Sequence, residues 1–188
     1  MDPRTFLPPA SRPTAAPPAV GAPAPALPAP GLPRGPAVVA FLRHAGCPFA
    51  EATLRSLRER ASGNGIEVTV VAVSHAPARA TARWLEAIGG AGEVLVIADP
   101  DRHAYAAWGL GRTSLAHFTG RRSLLAVGRL ARRGVRNRHP SGSRWQAAGT
   151  FAVDAGGTVR ARHLPEHAGD LPDLDEAVRA ARGAVARA

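Results

Sequence analysis

Cys47 is the only cysteine in the chain, and therefore its only soft nucleophile. It sits in Ala37 to Arg60, AVVAFLRHAGCPFAEATLRSLRER, at the point where a turn becomes a helix. Unpaired backbone N–H groups and the helix dipole favour a thiolate at such a place. Two neighbours could assist. Arg43 could hold a thiolate by charge, and His44 could act as a base. Each also has an ordinary reading, as a solvated arginine and an exposed loop histidine. Cys47 has one too, since free cysteines are often buried and inert.

The elements that must position these groups are legible around them. Val38 to Leu42 is an unbroken apolar run, which suits a strand covered on both faces. Gly46 permits a sharp turn. Pro48 fits the first helical position, where its missing N–H costs nothing. Phe49, Thr53, Leu54, Leu57 and Ala61 then recur at helical spacing, with Glu51, Arg55, Arg58 and Glu59 on the opposite face.

The remaining composition narrows the class. At 188 residues there is room for one ordinary domain and a modest tail. A single cysteine excludes an intramolecular disulfide and a CxxC metal knuckle, and fits a reducing cytosol. No apolar run reaches the length of a membrane span, and no signal-peptide pattern opens the chain. The expectation is a soluble cytoplasmic protein. The net charge is +10, and all 24 basic residues are arginine. With alanine, glycine and proline also abundant, this resembles a GC-rich coding bias, so arginine number alone means little. Its distribution means more: residues 102 to 153 contain no acid, and the whole excess charge lies there.

Residues 1 to 36 hold 12 of the 18 prolines. They read as a disordered or polyproline-like tail, passive by default, with a proline-docking ligand as the alternative. The domain is expected over residues 37 to 188. After the first strand and helix, residues 67 to 74 read as a strand and 76 to 88 as a helix. Residues 94 to 98 form a third strand. Asp99 is placed to cap a helix from about 102 to 108. An amphipathic helix is expected over 123 to 131, in the basic segment RRSLLAVGRLARRGVRNR (121 to 138). Residues 149 to 154 and 158 to 164 form a hairpin around the tight turn Ala155-Gly156-Gly157, and 173 to 187 a final helix. The βαβαβα order predicts an α/β fold, a central mixed sheet flanked by helices.

That order, with cysteine at the first strand-to-helix turn, is the thioredoxin-like pattern. Four stretches together resemble peroxiredoxins of the AhpC/TSA superfamily, especially a peroxiredoxin-like branch with an FLR-x-x-GCPF signature. They are FLRHAGCPFAEATLRSL (41 to 57), DPDRHAYAAWGLGR (99 to 112), WQAAGTFAVDAGGTVRARH (145 to 163) and DLPDLDEAV (170 to 178). The resemblance covers about residues 37 to 180. It implies that Cys47 is the peroxidatic cysteine, attacking a peroxide and becoming a sulfenic acid that a thiol reduces. The chain departs from the best-characterised members. Their proline and threonine ahead of the cysteine are Ala40 and His44. Their arginine before the hairpin is Ala148, and the resolving position of Cys-x-x-Cys is Ala50. Gly149 replaces the cis-proline of thioredoxins. The usual donors being absent, Arg43, His44 and Arg144 are the candidates to stabilise the thiolate and substrate, and weak peroxidase activity is expected.

The functional expectation is thus a peroxiredoxin-like thiol oxidoreductase of 1-Cys type. It reduces a small-molecule peroxide with an external thiol or thiol-protein reductant, without cofactor or metal; a homodimer is allowed. The seven histidines show no metal-ligand spacing with Cys47. The alternative is a catalytically weak or inactive thioredoxin-fold module that binds an anionic partner through residues 121 to 138. That segment lacks interleaved stacking aromatics, which argues against nucleic acid.

Overall fold

The computed structural model describes residues 12–62, 68–114, 117 and 121–183. The ordered elements are β1 (Ala37–Phe41), α1 (Pro48–Ala61), β2 (Thr69–Ser74), α2 (Ala78–Ala87) and β3 (Leu95–Ala98). They continue with α3 (His103–Ala107), α4 (Arg121–Arg132), β4 (Gly149–Val153), β5 (Val159–His163) and α5 (Leu174–Ala181). The strands form one mixed sheet in the order β3-β2-β1-β4-β5. β1 pairs with β2, and β2 with β3, in parallel; β1 with β4, and β4 with β5, are antiparallel. This is the thioredoxin-like α/β arrangement, and the elements follow the order expected from the sequence.

β1 is central, so both its faces must be apolar. Val38 and Ala40 point into one core with Leu54 and Leu57 of α1, Trp84 of α2, Leu130 of α4 and Leu174 and Val178 of α5. Val39 and Phe41 point into the other, with Val71, Val73, Phe151, Tyr105 and Trp108. The period-2 alternation of a strand divides the single run between two layers. Phe41 meets Tyr105 and Phe151 edge-on, with ring centroids 5.0 and 6.0 Å apart, a favoured aromatic geometry.

Two aspartates act as local capping groups, as their positions imply. Asp99 accepts hydrogen bonds from the backbone N–H groups of His103, Ala104 and Tyr105, opening α3. Asp154 accepts from Gly156 and Thr158 in the hairpin turn. The last helix is shorter than its sequence pattern, and residues 184–188 lie outside the described residues.

The proline-rich segment divides. Residues 1–11 lie outside the described residues. Residues 12–36 contain no helix, as their prolines require, but they are docked rather than free. The N–H groups of Gly21 and Ala24 donate to the carbonyls of Val159 and Gly157, and Val159 donates back to Ala22. Arg162 donates to the carbonyls of Pro17 and Pro18, and the Trp108 indole to Ala26. Leu27 is buried in the second core. The segment therefore satisfies part of the exposed edge of β5, which would otherwise present unpaired backbone groups. Composition does not reveal this, because proline removes donors without removing carbonyl acceptors or apolar side chains.

Candidate active site

β1 delivers Arg43 and His44 just past its C-terminal end, and α1 starts immediately after Cys47. Cys47 is the N-cap residue of α1, with extended backbone and Pro48 next to it. Its N–H donates to the His44 carbonyl and its own carbonyl accepts from Glu51, 3.1 and 3.0 Å respectively. The turn is sewn to a distant loop. Arg138 and Ser141 donate their N–H groups to the carbonyls of Gly46 and Ala45. Gly46 has φ +91°, and a Cβ there would collide with the His139 carbonyl. Only glycine meets both demands.

Cys47 is 3% exposed, Arg43 6% and His44 5%. The ordinary readings of Arg43 as solvated and His44 as an exposed loop residue are thereby corrected. A buried strand end has no surface to give them. Arg43, His44, Cys47, Pro48, Phe49, Ser123, Val127, Asn137, Arg144, Trp145 and Ala168 enclose a cleft of about 310 Å³. The three helper residues named from sequence are thus brought together on one cavity with the thiol.

The electrostatics are unusual for a buried place. Burial pushes the Arg43 guanidinium below its ordinary pKa; charge from Cys47 opposes this, and the nearby Arg144 adds to it. His44 is held well below the usual histidine range, first by burial and then by Arg43, Arg144 and His75. It is a neutral imidazole at neutral pH. Neither of its ring nitrogens has a hydrogen-bond partner among the described residues. A buried polar atom left unpaired costs roughly 1–3 kcal/mol, so such a group in a cavity wall is placed to meet a polar ligand. Arg43 and Arg144 both line the cleft on which the thiol stands.

A family model described as AhpC/TSA antioxidant enzyme matches residues 53–167. The chain belongs to this family. The matched stretch starts after Cys47, so the role of that residue rests on its geometry. No curated relative matches the sequence. Among solved structures, a peroxiredoxin-like protein from Aquifex aeolicus superposes with a TM-score of 0.64 at 19% identity, covering 88% of this chain and 87% of that one. The thiol peroxidase from Chromobacterium violaceum gives 0.57 at 12% identity, with 88% and 87% covered. The peroxidoxin BcpB from Mycobacterium tuberculosis gives 0.50 at 20%, with 80% of each chain covered. At these identities the likeness establishes the fold.

Within this AhpC/TSA protein, the positions at which the sequence departs from the family pattern lie as follows. Ala50 is buried and brings no second sulfur. Ala148 and Gly149 line a smaller neighbouring pocket rather than the Cys47 cleft. Sequence reading missed several residues that matter. Glu51, expected on the face of α1 opposite the apolar stripe, is 1% exposed. Its carboxylate accepts from Arg55 at 2.6 Å and from Arg138 at 3.2 Å. Arg138 lies on the loop that closes the cleft, so this ion pair pins that loop to the first turns of α1. The cleft walls Phe49, Val127, Trp145 and Ala168 also went unassigned. The amphipathic pattern of α4 was the one signal available for Val127.

No helix among the described residues is long and apolar enough to cross a membrane. The described residues contain no group of three or more histidine, cysteine or acidic side chains suited to a metal ion.

Proposed function

We propose that the protein is a single-cysteine thiol peroxidase. The observation that carries this is the joint placement of Cys47, Arg43, Arg144 and an unpartnered neutral His44 on one cleft at a helix N-terminus. The Cys47 thiolate attacks the terminal oxygen of a hydroperoxide. An S–O bond forms, the O–O bond breaks, and sulfur loses two electrons to become sulfenic acid. The departing alkoxide or hydroxide takes a proton to give alcohol or water. Arg43 and Arg144 stabilise the thiolate and the charge that develops on the leaving oxygen. His44, neutral, offers one N–H and one lone pair to the peroxide.

With Cys47 the only cysteine, reduction needs an external thiol. A first thiol condenses with the sulfenic acid, releasing water and leaving a mixed disulfide. A second thiol releases Cys47 and carries away the disulfide. A thiol-rich compartment, the cytoplasm, suits this cycle.

The test is chemical. One equivalent of peroxide followed by a sulfenate-trapping reagent is expected to label wild-type protein at Cys47 and leave Cys47→Ser unlabelled. Peroxide consumption with added thiol should depend on Cys47 in the same way. Equal consumption by both proteins, with no adduct, would remove the reading.

The rival is a binding module using residues 121 to 138. It draws support from Arg129, Arg132, Arg133 and Arg136, which are exposed. Arg138, however, is committed to Glu51. A salt titration with a polyanion decides this reading; a flat response removes it.

A further inference from the structure

We propose that a second cleft, between the N-terminal segment and α3, binds a small organic phosphate monoester, and that this ligand clamps the start of the segment onto the domain. The cleft shares no lining residue with the thiol cleft, so the proposal does not depend on the peroxidase reading.

Three arginines from separate parts of the chain meet there. Arg12 comes from the N-terminal segment, Arg102 is the residue before α3, and Arg112 follows α3. They line a cavity of about 200 Å³ that has no carboxylate in its wall. Arginine is abundant in this chain, but Arg55, Arg60, Arg138 and Arg160 each meet a carboxylate. Among the described residues, Arg12, Arg102 and Arg112 meet none. Like charges on one cavity repel one another, and a bound anion turns that repulsion into attraction. The guanidinium fork matches phosphate oxygens in pairs.

The walls of the cleft are fixed. Arg12 donates from Nη1 to Nδ1 of His103 at 3.1 Å. Arg102 has φ +60°, an uncommon backbone for a residue with a side chain. The Ala15 N–H donates to the Ala106 carbonyl at 3.0 Å. Gly109, at φ +76°, admits the backbone of Ala16 and Pro17, which a Cβ would strike. The segment thus lies close over the domain beside the cavity.

A neutral group narrows the ligand. Gln146 is 2% exposed, and its amide nitrogen donates to the carbonyls of Leu110 and Gly111 at 2.6 and 3.0 Å. Those bonds fix which way the amide is turned. Among the described residues no donor meets its Oε1, which is left to accept from a ligand hydroxyl. A phosphate monoester brings close to two negative charges at pH 7 and three acceptor oxygens. Inorganic phosphate supplies the charge but leaves Gln146 unused. A ligand held by Arg12 on one side and by Arg102 and Arg112 on the other binds the docked segment only, and so stabilises docking by mass action.

The experiment uses full-length protein at low salt, with ribose 5-phosphate as the probe in titration calorimetry. It should bind roughly tenfold more tightly than inorganic phosphate, the worth of one hydrogen bond to a buried acceptor plus added contact. Ribose should not bind. Arg102→Met and Arg112→Met should each weaken binding on the order of tenfold, with circular dichroism checking the fold. Arg136→Met, outside the cleft, should change nothing. In the wild type, hydrogen exchange at the Ala15 amide should slow when the probe is bound, while β1 amides stay as they were; this readout stands even where a variant fails to fold. An equal loss in Arg136→Met would overturn the site in favour of general attraction to cationic surface. Citrate binding as tightly as ribose 5-phosphate would overturn the phosphate assignment, and inorganic phosphate doing so would overturn the organic part. Binding without slower exchange at Ala15 would overturn the clamp, and no binding would overturn the whole proposal.

Discussion

Arg43 and Arg144 are like charges brought to one buried thiol, and each opposes the other until an anion arrives. That arrangement predicts what their removal does. Arg43→Met and Arg144→Met should each slow Cys47 oxidation by peroxide on the order of 10²-fold, the usual effect of losing one charge-stabilising donor. Stopped-flow measurement of sulfenate formation checks this; a change under threefold in both would show that neither guanidinium acts on the reacting oxygens. Glu51 makes a different prediction at the same scale. Deleting its carboxylate strands two guanidiniums, and breaking a fully buried pair costs roughly 3–5 kcal/mol. Arg55 and Arg138 are about one-third exposed, so solvent screens them and Glu51→Ala should cost about 2 kcal/mol. Urea denaturation measures it. Iodoacetamide should also reach Cys47 faster, because the loop carrying Arg138 is released. The individual residues were unequally legible in sequence. Cys47 declares itself by its position after Gly46 and before Pro48. Glu51 does not, because helical periodicity describes one partner surface, and α1 is covered by the sheet on one side and by the 133–148 loop on another.

At the scale of elements, the proline-rich segment is the most instructive. Strands and helices announce themselves through apolar spacing, and each element of the domain was recoverable that way. Residues 12–36 carry no such period, since a docked extended strap needs only carbonyl acceptors and an occasional apolar anchor. Leu27 is that anchor. Leu27→Ala should destabilise the domain by about 2 kcal/mol, the low end for a buried leucine. A strap free in solution would leave the denaturation midpoint unchanged. The turn ahead of Cys47 supplies a second test. Gly46→Ala must accept a left-handed backbone, costing roughly 1–2 kcal/mol, and must also push back the His139 carbonyl. Thermal unfolding should therefore shift downward by several degrees. The cleft was less legible than the elements that build it. Its walls come from α1, α4, the loop before β4 and Ala168, and a cavity between separate elements leaves no periodic trace in any one of them.

The molecule as a whole responds to pH through buried histidines. His75 lies under the 133–148 loop, its Nε2 donating to the Ser143 carbonyl at 3.1 Å, and its ring edge-on to Tyr105. Burial lowers its pKa to about 4, partly offset by that hydrogen bond, while Arg102 and Arg43 lower it further. His44 is shifted in the same direction. In the unfolded chain both return to the ordinary histidine value near 6.5. Between those values the unfolded state binds protons that the folded state refuses, so stability is intact above pH 6.5 and is lost as pH falls toward 4. For His75 alone the loss from pH 7 to pH 4.5 amounts to roughly 2–3 kcal/mol, and His44 adds to it. Urea midpoints measured at pH 7 and pH 4.5 should therefore differ strongly in the wild type. His75→Gln keeps an amide donor for Ser143 but cannot titrate, and should flatten the slope by the His75 share. An equally steep slope in His75→Gln would mean that proton uptake on unfolding occurs elsewhere. The loss should also open the site: protonating His75 breaks no bond to Ser143, but it places a charge beside Arg43. Cys47 alkylation should accordingly report loosening of the cleft in the same pH window in which stability falls.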